Sequence, residues 1–258
     1  MPWRPDSLGD GAICLQCKHC LPDYDIMLLM STFGSIITDT LTLSQTVMRM
    51  PNKQRRSYHH GNLRETLIAA AMPLLAQAGA AGLSLREVAK AAGVSHAAPY
   101  RHFRDKTALL EAVAAAGYRR LMQACRQAER RFPRDPRRQL VEAGMAYLML
   151  AAENPEIIHL MFGGLLEECG EELREASRSA FQSLMKIVEN GQAAGLYRKA
   201  PTRDLTLAAW SMVHGLSMLI SSGPLKEMAT SKRYIKKLGG VISEILLSGM
   251  LRRRSGVS

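Results

Sequence analysis

The amino-acid sequence predicts an all-α protein: a small N-terminal helix-turn-helix domain followed by a larger helical domain. Three observations carry this. Apolar residues recur at helical spacing in stretch after stretch beyond Asn62. The composition, 47% hydrophobic yet 5% aromatic, is rich in Ala, Leu and Met, and no alternating β-branched segment competes apart from Ser35-Ile36-Ile37-Thr38. Finally, Ser84–Phe103 reads as two short helices joined by a tight turn.

Taken in order, the chain opens with an extension over residues 1–50. Cys14, Cys17 and Cys20 with His19 have the spacing of zinc thiolates. Three thiols are one ligand short unless His19 or another chain contributes, and no second Cys pair follows, so neither metal nor cofactor is expected. Met48 and Met50 stand just before a basic arm, which makes an over-extended reading frame an alternative explanation of residues 1–47. Asp6 and Asp10 replace the basic start and apolar run of a signal peptide. The uncharged stretch Leu205–Leu225 is long enough to span a bilayer, yet Thr206, Ser211, His214, Ser217, Ser221 and Ser222 stud it, so it reads as a bundle helix. The chain is expected to be cytoplasmic, with no membrane partner.

Charge marks the next unit, residues 51–106. The whole chain carries +11; residues 49–131 hold fifteen basic and five acidic groups, a local +10, whereas residues 1–48 hold two and five. Such an excess beside a helix-turn-helix suits phosphate. Lys53, Arg55 and Arg56 form a basic arm able to reach phosphates or the minor groove. A first helix is predicted from about Asn62 to Ala78, with Leu63, Leu67, Ala70, Leu74 and Ala78 inward, a kink at Pro73, and Gly79 and Gly82 ending it. Ser84 with Glu87 makes a capping box before an apolar face of Leu85, Val88, Ala89 and Ala92. Gly93 supplies the left-handed stop, and Ser95 is expected to cap a second helix that lies in the major groove.

The runs Tyr58-His59-His60-Gly61-Asn62-Leu63-Arg64, Leu83–Ala89 and Tyr100-Arg101-His102-Phe103-Arg104-Asp105-Lys106 resemble the N-terminal domain of the tetracycline-repressor (TetR) family, over about a fifth of the chain. Pro99 departs from that pattern, since an aliphatic residue is more usual there. The resemblance implies a homodimeric regulator, more often a repressor, that binds a pseudo-palindromic operator in double-stranded DNA and is released by a small apolar effector. It implies that Ser95, His96, Ala97 and Tyr100 face the groove. Ser84, Arg86, His102 and Lys106 would position the backbone.

Residues 107–250 are then expected to be the effector-binding and dimerisation domain, with 251–258 a basic tail. Helices are predicted from Asp105 to about Arg131, over Arg138–Glu153, after Pro155, over about Glu171–Ala194, and around Leu205–Ser222 and Ser231–Ser248. Leu205, Ala209, Met212, Leu216 and Leu219 form one stripe on the last two; Tyr234, Leu238, Val241, Ile245 and Leu247 form another. Two such helices can pair with their copies in a four-helix bundle. Trp210-x-x-x-His214-Gly215 resembles a motif of one TetR subgroup. Met145, Met149, Met161, Met185, Met212 and Met218 suggest a soft-walled cavity, with Tyr147, Met149, Met185, Trp210 and His214 as its candidate residues. No Gly-rich phosphate loop, nucleophile elbow or His-Glu-x-x-His is present, so an enzyme is not expected. The competing readings are an architectural DNA-binding protein without an effector, or an enzyme whose site the sequence hides.

Overall fold

The computed structural model describes residues 63–163, 166, 169–223, 225 and 231–251. These form eight α-helices: α1 Leu63–Gly82, α2 Leu85–Ala92, α3 Lys106–Arg131, α4 Pro136–Glu153, α5 Pro155–Phe162, α6 Glu171–Ala193, α7 Thr202–Ser221 and α8 Lys232–Met250. A single 3-10 turn, Pro99–Arg101, stands between α2 and α3. The only β feature among the described residues is one bridge between Tyr197 and Leu251.

The first helix differs from expectation in its register. Leu67, Ile68, Ala71 and Leu75 are the buried residues, Leu63, Ala70 and Leu74 are partly buried, and Ala78 is exposed. The break falls at Gly79, whose φ of 64° is non-helical, and not at Pro73. Pro73 lies on the exposed side of the helix.

One apolar core runs without interruption from Leu67 of α1 through Leu109 and Val113 of α3 to Ala180 of α6. Head and body are therefore joined by packing as well as by chain connection. Gly117 permits a close approach of α3 to α5, since a Cβ there would lie 2.4 Å from Met161 Sδ and 2.8 Å from Ile157 Cγ2. Helix α3 packs most extensively on α6, and α4 lies against α3, α7 and α8. A second cluster gathers Leu140, Ile187, Val188, Tyr197, Leu205 and Leu247, and a third holds Leu148, Leu216, Ile220 and Ile235.

Gly191 illustrates how tightly the second cluster closes. A Cβ there would sit 2.1 Å from the Tyr197 ring. That ring is buried and cannot swing away, because its hydroxyl donates to Pro136 O at 3.0 Å. Gly191→Ala is thus expected to cost about 1–3 kcal/mol of stability, read as a lowered denaturant midpoint with unchanged slope.

Candidate functional site

The head is built around α2. Ser84 Oγ accepts the Glu87 amide at 3.2 Å, one half of the expected capping box, and donates to Glu87 Oε2 at 2.9 Å, so the carboxylate meets the cap through its hydroxyl. At the other end Gly93, with φ 71°, donates to Lys90 O, while Val94 N–H reaches Ala89 O at 3.0 Å. This is the paired closure that only a left-handed residue allows cheaply.

The expected second α-helix is absent. Residues 95–98 form turns and Pro99–Arg101 one 3-10 turn. The reason is Pro99, which has no N–H to give to Ser95 O in an α-turn. Ser95 O is taken instead by Ala98 N at 3.0 Å, the tighter pattern. Pro99 itself is buried, and its carbonyl accepts both His102 N and Phe103 N at 2.9 Å. Ser95, His96, Ala97 and His102 are exposed, and Tyr100 is 54% exposed although large and aromatic. Arg86 is exposed too. Two of the expected backbone-positioning residues already serve the fold: Ser84 caps α2, and Lys106 Nζ donates to Ala81 O at 2.6 Å, closing the end of α1. Sequence reasoning passed over Arg101, exposed beside Tyr100. Lys53, Arg55 and Arg56 lie outside the described residues, as do Cys14, Cys17, Cys20 and His19. Among the described residues no three His, Cys, Asp or Glu side chains gather as a metal site, and no helix is long and apolar enough to cross a membrane.

The body holds a cavity of about 50 Å³ between α3, α4, α6 and α7, lined by Tyr118, Leu121, Cys125, Ala143, Gly144, Tyr147, Phe162, Ala180, Phe181, Leu184, Trp210 and Val213. Of the five candidate residues, Tyr147 and Trp210 line it. His214 stands behind them, its Nδ1 2.7 Å from the Tyr147 hydroxyl and its ring stacked on Trp210 at 5.1 Å. Met149 instead lines a separate outer cleft, and Met185 lines neither space. The methionine argument fails for the inner cavity: Met161, for example, is fully buried against Gly117 as core filler. The wall is aromatic instead. Phe162 is its hub, with ring centroids 5.5 Å from Tyr118, 6.0 Å from Trp210 and 4.5 Å from His214. In a chain with so few aromatics, clustering of Tyr118, Tyr147, Phe162 and Trp210 at four separate helices was the available signal.

Electrostatically the cavity is a neutral place. Burial pushes His214 down to about 4 and raises the Tyr147 hydroxyl, an effect that Ser217 and Trp210 partly offset by hydrogen bonding. With both groups uncharged, the Tyr147 hydroxyl donates to Nδ1 in the Nε2-protonated tautomer of His214. Burial, then the Glu129 carboxylate, lifts the Cys125 thiol to about 12, so it acts as an apolar wall.

Helix α3 connects the two sites. It starts at Asp105, whose Oδ1 accepts Ala108 N at 2.8 Å, and four turns later contributes Tyr118 and Leu121 to the cavity. Glu172, in the first turn of α6, uses both oxygens as a fork: one accepts from Arg64 of α1, the other from Arg119 of α3. The Arg64 guanidinium in turn lies 5.4 Å from the Phe103 ring centroid.

Comparison with known proteins agrees with this arrangement. Residues 67–113 match the sequence model described as bacterial regulatory proteins, tetR family, and residues 140–236 match the tetracyclin repressor-like C-terminal domain. The chain belongs to the TetR family. Its first 3-10 and helical elements therefore correspond to that family's DNA-binding domain. Tetracycline repressor protein class A from transposon 1721 of Escherichia coli is 49% identical over 51 residues, 20% of this chain and 24% of that protein. The chain thus matches about a quarter of that curated relative's length. A solved structure of a protein with unknown function from Rhodococcus sp. RHA1 is 32% identical, with TM-score 0.65, covering 77% of this chain and all of that one. The transcriptional regulator FadR from Bacillus subtilis, solved in complex with stearoyl-CoA, shares the fold at 17% identity and TM-score 0.58, over 72% of this TetR-family chain and 98% of that one.

Proposed function

We propose that this TetR-family regulator is a dimeric, ligand-released repressor of a pseudo-palindromic operator. Residues 51–106 form the DNA-binding domain, 107–250 the effector and dimerisation domain, and 1–50 and 251–258 flank them. The Trp210–His214 stack supports a place in the subgroup with the Trp-x-x-x-His-Gly motif. The observation that carries the reading is that one helix, α3, begins in the head just after the segment that exposes Ser95, His96, Ala97 and Tyr100, and lines the aromatic cavity further along. A ligand that displaces α3 against α6 has a direct mechanical route to the reading segment. Stearoyl-CoA in the FadR complex supports an apolar effector for this fold. The architectural alternative predicts a body packed solid, and the cavity weighs against it.

His96 is the base reader, Tyr100 contacts phosphate or a thymine methyl, and Arg86 and His102 hold the backbone, with the arm of Lys53, Arg55 and Arg56 alongside. Selecting sites from random duplexes, then measuring the variants, tests this. His96→Ala should change preference among operators by about 1–3 kcal/mol at one position. Lys106→Ala should weaken all sequences and also lower stability, because its ammonium holds Ala81 O. Identical behaviour of His96→Ala on selected and random DNA would remove His96 from the reading surface. On the effector side, linkage requires operator to weaken the ligand by the factor with which the ligand weakens operator. A ligand whose affinity ignores saturating operator is not the effector.

A further inference from the structure

Outside the inner cavity, across α3 and α4, lies a second space of about 280 Å³ lined by Arg120, Leu121, Ala124, Ala146, Met149, Leu150, Glu153 and Asn154. Leu121 belongs to both linings, so the two spaces adjoin at its side chain. The compartments differ in chemistry. The inner one is aromatic and aliphatic, and its polar pair is held neutral. A charged group placed there would lose its hydration without a counter-charge. The outer one carries two charges. Glu153 is neutralised by Lys232, whose Nζ stands 2.8 Å from its carboxylate. Arg120 is exposed, and its guanidinium makes a weak contact, donating to Met72 Sδ at 3.4 Å. The cleft therefore presents a guanidinium with donors to spare and no carboxylate that opposes it alone.

We propose that the two spaces are one ligand site for an amphipathic anion, its apolar body passing Leu121 into the aromatic cavity and its carboxylate or phosphate held at Arg120. This rests on the effector reading above and deepens it. The neutral inner pair excludes the charged end from the interior, and the free guanidinium receives it outside. An inner cavity of about 50 Å³ is too small for such a body at rest. Entry requires Leu121 and the aromatic wall to move, and Leu121 sits on the helix that leads to the head.

The test uses the full chain with Trp3→Phe, leaving Trp210 at the cavity as the single tryptophan. Its emission is titrated with decanoate and with 1-decanol, both below their aggregation limits. The ratio of the two affinities is the readout, because it cancels the shared apolar body. In Arg120→Gln the ratio should shift roughly fivefold against decanoate while decanol is unchanged, the scale of one exposed charge pair. Glu153→Gln, which frees Lys232, should shift it the other way. A ratio unmoved by either variant overturns the anion assignment while leaving the apolar cavity standing. If neither compound perturbs Trp210, both the assignment and the effector cavity fall, whereas operator binding by the same samples still stands or fails separately.

Discussion

Replacing Ile245 by glutamate is expected to convert the proposed dimer to monomers and to weaken operator binding about a hundredfold or more, since each head would then bind its half-site alone. The expectation comes from where apolar surface remains uncovered. Of the four large hydrophobic residues exposed among the described residues, three lie on the last two helices: Leu219 at 45%, Val241 at 48% and Ile245 at 58%. Val241 and Ile245 are one helical turn apart on α8 and so share a face. Met212 and Leu238 are half-buried on the same pair of helices. A charge at Ile245 meets water in the monomer and an apolar partner face in the dimer, so the fold survives while the seam does not. Sedimentation at micromolar concentration with a circular dichroism control checks this. A dimeric Ile245→Glu protein would place the seam elsewhere.

The second large effect is a loss of stability in mild acid. His214 in the folded protein is pushed down to about 4 by burial, against 6.5 in the open chain. Above pH 6.5 both states are neutral there and nothing is lost. Between 6.5 and about 4 the unfolded chain takes up a proton that the native state refuses, so stability falls as pH drops through that window. The loss is about 2 kcal/mol by pH 5 and about 3 kcal/mol once the native pKa is passed. Urea unfolding at pH 8 and pH 5 measures it. The double variant Tyr147→Phe, His214→Leu removes the titrating group and leaves no orphaned hydroxyl, so its difference between the two pH values should be smaller by that amount. An equal difference in both proteins would assign the acid loss to other groups.

Much of this architecture was legible in residue order because it follows from local rules. The Ser84 cap, Gly93 and Asp105 each end or start a helix by hydrogen bonds within a few residues, and the helix boundaries fell close to where those residues stand. Long-range packing was less legible. The inward face of α1 is turned by about one residue from the simple stripe, because α3 and α5 both press on it and bury Ile68 and Ala71. The stripe on α7 also mixes two roles. Leu216 is 5% exposed and packs with Leu148 and Ile235 inside the subunit, so Leu216→Glu would unfold the body, whereas Leu219 faces outward. Pro99 was visible as a departure, but its consequence, the loss of a whole α-turn, needed the competition for Ser95 O to be seen. Phe162 was missed because a short helix after Pro155 offers no periodicity that would reveal its partners on three other helices.

The fork at Glu172 has a consequence for how salt dependence should be interpreted. Arg64, Arg119 and Glu172 are all partly accessible to solvent, so the tie between head and body is screened by added ions. At high ionic strength the free protein samples a wider range of head orientations, and docking on a fixed operator costs more entropy. The slope of log affinity against log salt then exceeds what the phosphate contacts alone supply. Counting phosphates from that slope would credit the DNA interface with a contact that lies wholly inside the protein. Glu172→Gln, measured on the same operator, should bring the slope back toward the true number.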